Sequence, residues 1–290
     1  MLLYYLNYLK GQSYSAHSLR AYKKDIENFL AFIGTAANLA ALTHNDADRY
    51  IMHLKQLGLQ NRSIKRHLSS IKGYFNYLER HGKISQNPFA YTLPLKAAFR
   101  LPHYYFYNEI ENMLNSCTND NLGRRDRAII ELLYSSGLRA FELVELNNHH
   151  FATSSMAIIK GKGSKDRYVF LTGKAKEALA DYRLVRMGLA AEGEQALFVN
   201  NGGGRLTTRG LYHIIKQYET SLSYGRKVGV HIFRHSFATH LLNEEAGLRQ
   251  VQELLGHASL SATQVYTHLN TDRLKQAYRQ AHPHARVKKE

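Results

Sequence analysis

Three of the chain's four prolines stand at Pro88, Pro94 and Pro102, and no other feature constrains the fold as strongly. Proline fixes φ and has no amide hydrogen, so a helix does not run through it. The stretch 87–102 therefore reads as an extended linker. It separates an N-terminal part, 1–86, from a C-terminal part, 103–290. A chain of 290 residues is long enough for two such parts with a core each.

The N-terminal part reads as helices only. Leu19, Tyr22, Ile26, Leu30 and Ile33 recur at helical spacing before Gly34. Thr43 can cap a second helix carrying Ala47, Tyr50, Ile51, Leu54 and Leu57, stopped by Gly58. Asn61 can cap a third with Ile64, Leu68, Ile71, Phe75 and Leu78, stopped by Gly82. These apolar stripes are expected in the core. The opposite faces carry Arg20, Lys23 and Lys24, then Arg62, Lys65, Arg66 and Lys72.

Charge gives those faces a meaning. The formal net charge is +16, with an isoelectric point near 9.8. Residues 1–98 hold 13 basic and 5 acidic side chains, and the other 192 hold 26 and 18. Positive charge is thus about twice as dense in the small part, which suits a helical clamp on a phosphate backbone. For any single lysine, a solvated face is the plainer alternative.

The C-terminal part is mixed. Helices are expected at 125–136, 139–146, 173–187, 207–220, 231–244, 248–255 and 271–281. The runs 156–160 and 167–171 read as two strands of a hairpin turned at Gly161-Lys162-Gly163-Ser164-Lys165-Asp166. The expected fold is mainly α with one small β-hairpin in the C-terminal part.

Several classes are excluded. The lone Cys117 cannot form an intrachain disulfide or a cysteine-rich zinc site. No apolar run approaches the roughly 18 residues of a membrane span, and the start MLLYYLNYLKGQ lacks the basic flank of a signal peptide. A cytoplasmic, nucleoid-associated protein is the simplest expectation. His231 and His235 lack the glutamate of a zinc-protease helix, and no paired acidic cluster suggests a two-metal nuclease. No cofactor and no metal are expected.

A few residues could carry chemistry. His231 and Arg234 share a helix face at i, i+3, so an imidazole and a planar guanidinium project together, which suits a phosphate diester. Arg139, after Gly137, can make a second phosphate contact or pair with Glu142. Lys162 stands between two glycines that let the backbone approach DNA, and can protonate a leaving alkoxide or simply be an exposed turn residue. Gly256-His257 ends a helix, and the phenol of Tyr266 can attack phosphorus or merely pack.

Taken together, the motifs resemble those of the tyrosine site-specific recombinases (phage-integrase family), closest to the Xer group. They are Gly137-Leu-Arg-Ala-Phe-Glu-Leu143, Gly161-Lys-Gly-Ser-Lys-Asp-Arg167, His231-Ile-Phe-Arg-His-Ser-Phe-Ala-Thr-His-Leu-Leu242, Leu254-Leu-Gly-His257 and Thr263-Gln-Val-Tyr-Thr-His268. The resemblance covers nearly the whole chain. It implies a two-domain, C-shaped DNA clamp built of a helical core-binding domain and a catalytic domain. It also implies a tetramer on double-stranded DNA, alone or with a paralogue, with a DNA translocase as a possible activator. It assigns Tyr266 as nucleophile, Arg139 and Arg234 as a clamp on the scissile phosphate, and Lys162 as general acid. His231 assists proton transfer and His257 hydrogen-bonds the phosphate. Lys165 and Arg167 join the basic residues of the small domain as candidate DNA contacts. A C-terminal helix, here 271–281, is donated to the next protomer, or packs on its own domain.

The chain departs from the family pattern at Val230, where a proline often precedes the histidine, and at Glu245 and Gly247, where Gly and Asp are common. The aromatic run His103-Tyr-Tyr-Phe-Tyr107 replaces a more polar helix start, and is expected to pack or to stack near DNA. The implied function is recombination that resolves chromosome or plasmid dimers. Mobile-element integration, a topoisomerase-like relaxing activity and a catalytically silent DNA-binding protein are the alternatives.

Overall fold

A computed structural model describes residues 1–34, 37–91, 103–160, 166–222, 229–244, 246–256 and 268–285, with backbone alone for Lys160 and 268–273. The chain divides into two compact units, Met1–Arg100 and Leu101–Glu290.

The first unit consists of α1 (Leu2–Gly11), α2 (Ala16–Ile33), α3 (His44–Gln56) and α4 (Asn61–Arg80). Ser15 caps α2 by accepting the Ser18 amide at 3.1 Å. At the start of α3 the Asp46 carboxylate accepts the Thr43 amide at 2.9 Å and its hydroxyl at 3.0 Å. Gln60, not Asn61, is the cap of α4. The expected stripes supply the core, joined by Phe29, whose ring meets Tyr50, Phe75 and Phe89 edge-on at 5.0, 5.7 and 5.1 Å. Leu57 departs from its stripe: it falls at the C-cap of α3 and is exposed. The apolar start of the chain is a helix, anchored by buried Tyr5 and Leu9 one turn apart.

The expected linker needs correction at its first residues. Asn87 and Phe89 are buried. The Asn87 amide donates to Lys72 O at 3.2 Å and to Asn76 Oδ1 at 2.6 Å, so 87–89 closes the helical core. Residues 92–102 lie outside the described part.

The second unit is also mainly helical. It contains α5 (Tyr107–Asn115), α6 (Asn121–Ser136), α7 (Ala140–Val144), β1 (Met156–Lys160), β2 (Asp166–Phe170) and α8 (Gly173–Leu189). These are followed by α9 (Thr208–Ser221), α10 (His231–Asn243), α11 (Leu248–Leu255) and α12 (His268–Ala281). The strands pair antiparallel, with Ile158 opposite Tyr168. The central helix is α6, in which Ala128, Ile129, Ile130, Leu132, Leu133 and Tyr134 have no exposed surface. It packs against α8 and α10. Such all-round burial leaves no amphipathic stripe to read.

The aromatic run before α5 packs through Tyr105. Its amide donates to Ser236 Oγ at 2.8 Å, its hydroxyl to Glu219, and its ring meets Phe233 at 4.9 Å. The C-terminal helix α12 lies on its own unit, with Leu274, Tyr278 and Ala281 buried in a cluster with Phe170, Phe237 and Leu241. Among the described residues, no helix is long and apolar enough to cross a membrane.

Candidate active site

The site starts where α6 stops. Gly137 closes that helix in the left-handed region at φ +56°, and its amide donates to Leu133 O at 3.1 Å. A Cβ at Gly137 would stand 2.7 Å from Phe237 Cδ1, so a side chain fits neither the conformation nor the space. This tight turn makes Arg139 the N-cap of α7.

Glu142 then organises the cations. Its carboxylate accepts the Arg139 amide at 2.8 Å and Arg139 Nη1 at 2.7 Å. It also accepts Arg167 Nη2 at 2.9 Å, a buried contact between two side chains each 2% exposed. Burial alone would raise the Glu142 carboxyl. The Arg167 guanidinium and the Arg139 hydrogen bonds outweigh it and hold the group below its usual range.

Two arginines also grip the end of α11. Arg167 Nη1 donates to Leu254 O and Arg234 Nη2 to Leu255 O. Cations at a helix C-terminus meet both the free carbonyls and the negative end of the dipole. Gly256 ends α11 at φ +63°, and a Cβ there would stand 2.7 Å from Arg167 Cδ. The other arm of Arg234 donates to Gly137 O at 2.7 Å, so one guanidinium joins the ends of α6 and α11.

Two guanidiniums thus bond one carboxylate, and a third, that of Arg234, lies within reach of their charges. Burial, then Arg139 and Arg167, push Arg234 down to about 9, with Glu142 opposing. The cation persists at neutral pH, held where charge is uncompensated. An arriving anion would relieve that, which is the preorganisation a phosphate site requires. Arg139 is the accessible member, its side chain 29% exposed. His231, the first residue of α10, is exposed one turn before Arg234.

The structure therefore brings together Arg139 and Arg234, with His231 on the helix that carries Arg234. Lys162, His257 and Tyr266 lie outside the described residues, as does Lys165. Arg167 departs from the expectation of a surface DNA contact: it is 3% exposed and anchored to Glu142 and α11. Sequence reasoning did not give its pairing, because Glu142 is 25 positions away and no local spacing signals the contact.

The other basic candidates sort by their partners. Arg20, Lys24, Arg62 and Lys65 are exposed on α2 and α4. Lys23, also exposed, lies 3.7 Å from Glu27. Arg66 forks onto the buried Asp25 carboxylate, which also accepts Ser70 Oγ at 2.8 Å. Lys72 is tied to Ala90 O at 2.8 Å. The last two therefore hold the unit together as well as carrying charge. Among the described residues, no group of three or more His, Cys, Asp or Glu is placed to hold a metal ion.

Comparison with known proteins identifies the relatives of the chain. The Phage integrase family model matches residues 106–273, and that of the Phage integrase, N-terminal SAM-like domain matches 2–82. The chain is 38% identical over 290 residues to the Tyrosine recombinase XerC of Listeria innocua serovar 6a, covering 97% of each. It is 39% identical to that of Anoxybacillus flavithermus, again over 97% of each. Among solved structures it is similar to XerH site-specific recombinase bound to palindromic difH substrate. That match has a TM-score of 0.72 and 25% identity, over 92% of this chain and 81% of that one. The fold is also that of the Tn1549 transposon integrase in complex with circular intermediate DNA. There the TM-score is 0.70 at 16% identity, over 94% of this chain and 97% of that one.

Proposed function

The chain belongs to the phage integrase family of tyrosine recombinases, and from that premise we propose how it cuts and rejoins double-stranded DNA. The single observation that carries the reading is the cationic junction of Arg139 and Arg234, oriented by Glu142 and by the ends of α6 and α11. The Tyr266 hydroxyl oxygen attacks the scissile phosphorus. The bond from phosphorus to the 5′ oxygen breaks, leaving a 3′-phosphotyrosyl ester and a 5′-hydroxyl. His231 takes up the phenolic proton, Lys162 gives one to the departing oxygen, and His257 hydrogen-bonds the phosphate. Arg139 and Arg234 neutralise the charge that grows on the non-bridging oxygens. A 5′-hydroxyl from a partner strand then reverses the step. Ester exchange conserves the bond, so no nucleotide or metal is consumed.

In this reading the helical unit is the core DNA-binding domain, with Arg20, Lys23, Lys24, Arg62 and Lys65 facing the phosphate backbone. It closes with the catalytic domain as a clamp around DNA. Four protomers, identical or shared with a paralogue, pair two sites, and a DNA translocase activates them. The name of the 37–39% identical relatives favours the resolution of chromosome dimers in the cytoplasm.

The test is covalent trapping. Wild type and Tyr266→Phe are incubated with nicked duplexes bearing candidate recombination sites and run on a denaturing gel. A slower protein–DNA band is expected from wild type only, with duplex affinity unchanged in the variant. A band of equal intensity from Tyr266→Phe would overturn the assignment of the nucleophile.

A further inference from the structure

The last turn of a helix leaves four carbonyls without an amide partner. At the end of α6 two of them are satisfied from far away in the chain. Leu133 O receives the Gly137 amide. Tyr134 O receives Nε2 of His282 at 3.1 Å, and Ser135 O receives the hydroxyl of Tyr278 at 2.8 Å. Just past the last residue of the helix, Gly137 O receives Arg234. The donors to Tyr134 and Ser135 lie 148 and 143 positions further along the chain, just after α12 and within it. The end of α6 is therefore capped jointly by the C-terminal segment and by a phosphate-binding arginine.

Both caps are chemically defined. Nδ1 of His282 accepts the His284 amide at 3.1 Å, so the ring hydrogen is on Nε2, aimed at Tyr134 O. Burial, aided by the neighbouring His284 and His240, holds this imidazole neutral, its pKa down to about 3. Burial likewise keeps the Tyr278 phenol protonated and donating. The Tyr278 ring lies 6.4 Å from that of Phe237, the side chain against which Gly137 is pressed. Hydrogen bonds and packing thus converge on the same turn.

We infer that Tyr278 and His282 are positioning residues for the phosphate clamp: by capping the end of α6 they fix the turn that presents Gly137 O to Arg234 and sets the place of Arg139. They touch no reacting atom. Removing either donor leaves a buried carbonyl unpaired at the point on which both arginines depend. The inference rests on the recombinase reading above.

The experiment uses the full chain as wild type, Tyr278→Phe, His282→Leu and His282→Gln. Single-turnover formation of the covalent adduct is followed on nicked duplexes whose scissile group is either a phosphate diester or a neutral methylphosphonate. Tyr278→Phe keeps the ring and deletes only the donor, so it tests the hydrogen bond without emptying the core. Tyr278→Phe and His282→Leu should slow the phosphate reaction roughly tenfold or more, with duplex affinity within about twofold of wild type. The loss should shrink on the methylphosphonate, which lacks the charge that the arginines neutralise. His282→Gln, which can still donate an N–H to Tyr134 O, should recover most of the rate. Unchanged cleavage in Tyr278→Phe, or equal losses on both duplexes, would overturn the inference. Failure of the wild type to form an adduct on any duplex would instead overturn the recombinase reading on which it stands.

Discussion

At the scale of single residues, Glu142 decides the electrostatics of the site. It is buried, and it is the counter-charge of a guanidinium as buried as itself. Glu142→Gln keeps the shape but leaves Arg167 without its carboxylate, which should cost about 3–5 kcal/mol of unfolding free energy in denaturant titration. The pH dependence has a defined sign. A carboxyl held below its usual range in the folded state contributes fully above that range, and the contribution disappears as pH falls through the lowered value. Wild type and Glu142→Gln should therefore differ most at neutral pH and converge in acid. A gap that widened on acidification would reject this role for Glu142. The motif around Arg139 was legible in the sequence because glycine, arginine and glutamate stand within six residues. Arg167 was not, because its partner comes from another element and a basic residue on a strand reads by default as surface.

At the scale of elements, glycines set how the helices end beside the site. Gly256 and Gly82 share a left-handed conformation, at φ +63° and +61°. Only at Gly256 would a Cβ also strike a neighbour, Arg167 Cδ at 2.7 Å, whereas at Gly82 nothing lies within 4 Å. Gly82→Ala should lose about 1–2 kcal/mol through backbone conformation alone. Gly256→Ala should lose more and slow cleavage as well, because it displaces a side chain bonded to both Glu142 and α11. Equal stability loss and unchanged cleavage would show that the contact with Arg167 relaxes freely. Helices with a clear stripe, such as α3 and α4, could be read from periodicity and caps. The first helix could not, because Leu3, Tyr4 and Tyr8 are exposed around the two residues that anchor it. The buried residues at 87–89 were hidden by the proline among them, which marks a turn whether or not the turn is packed. Nor could the capping of α6 by Tyr278 and His282 be read, since nothing in local sequence joins positions so far apart.

At the scale of the whole molecule, charge is the property that both units share. Residues 1–98 and the remaining 192 each carry a net +8, so the helical unit is the denser source of field. Contact with six to ten phosphates should weaken binding by about 10³–10⁵ between roughly 50 and 200 mM salt. Arg62→Ala with Lys65→Ala should flatten that dependence by about two phosphate equivalents. The check is a salt titration of duplex affinity for wild type and the double variant. An affinity nearly independent of salt would count against a backbone clamp. Arg234 contributes little to this bulk term, since it is 9% exposed and bound at both arms.

Those two arms hold backbone carbonyls, Gly137 O and Leu255 O, and this has a consequence for heredity. A side-chain acceptor can be exchanged, so the loss of its partner can be repaired at a second position. A peptide carbonyl is present whatever residue the codon specifies. No second-site change can supply Arg234 with a different pair of acceptors, or give another residue there a matching partner. Lysine would offer one compact charge to two acceptors at different helix ends. A selection for restored recombination starting from an Arg234 variant should therefore return true revertants, whereas one starting from Glu142 has side-chain partners through which suppressors can arise.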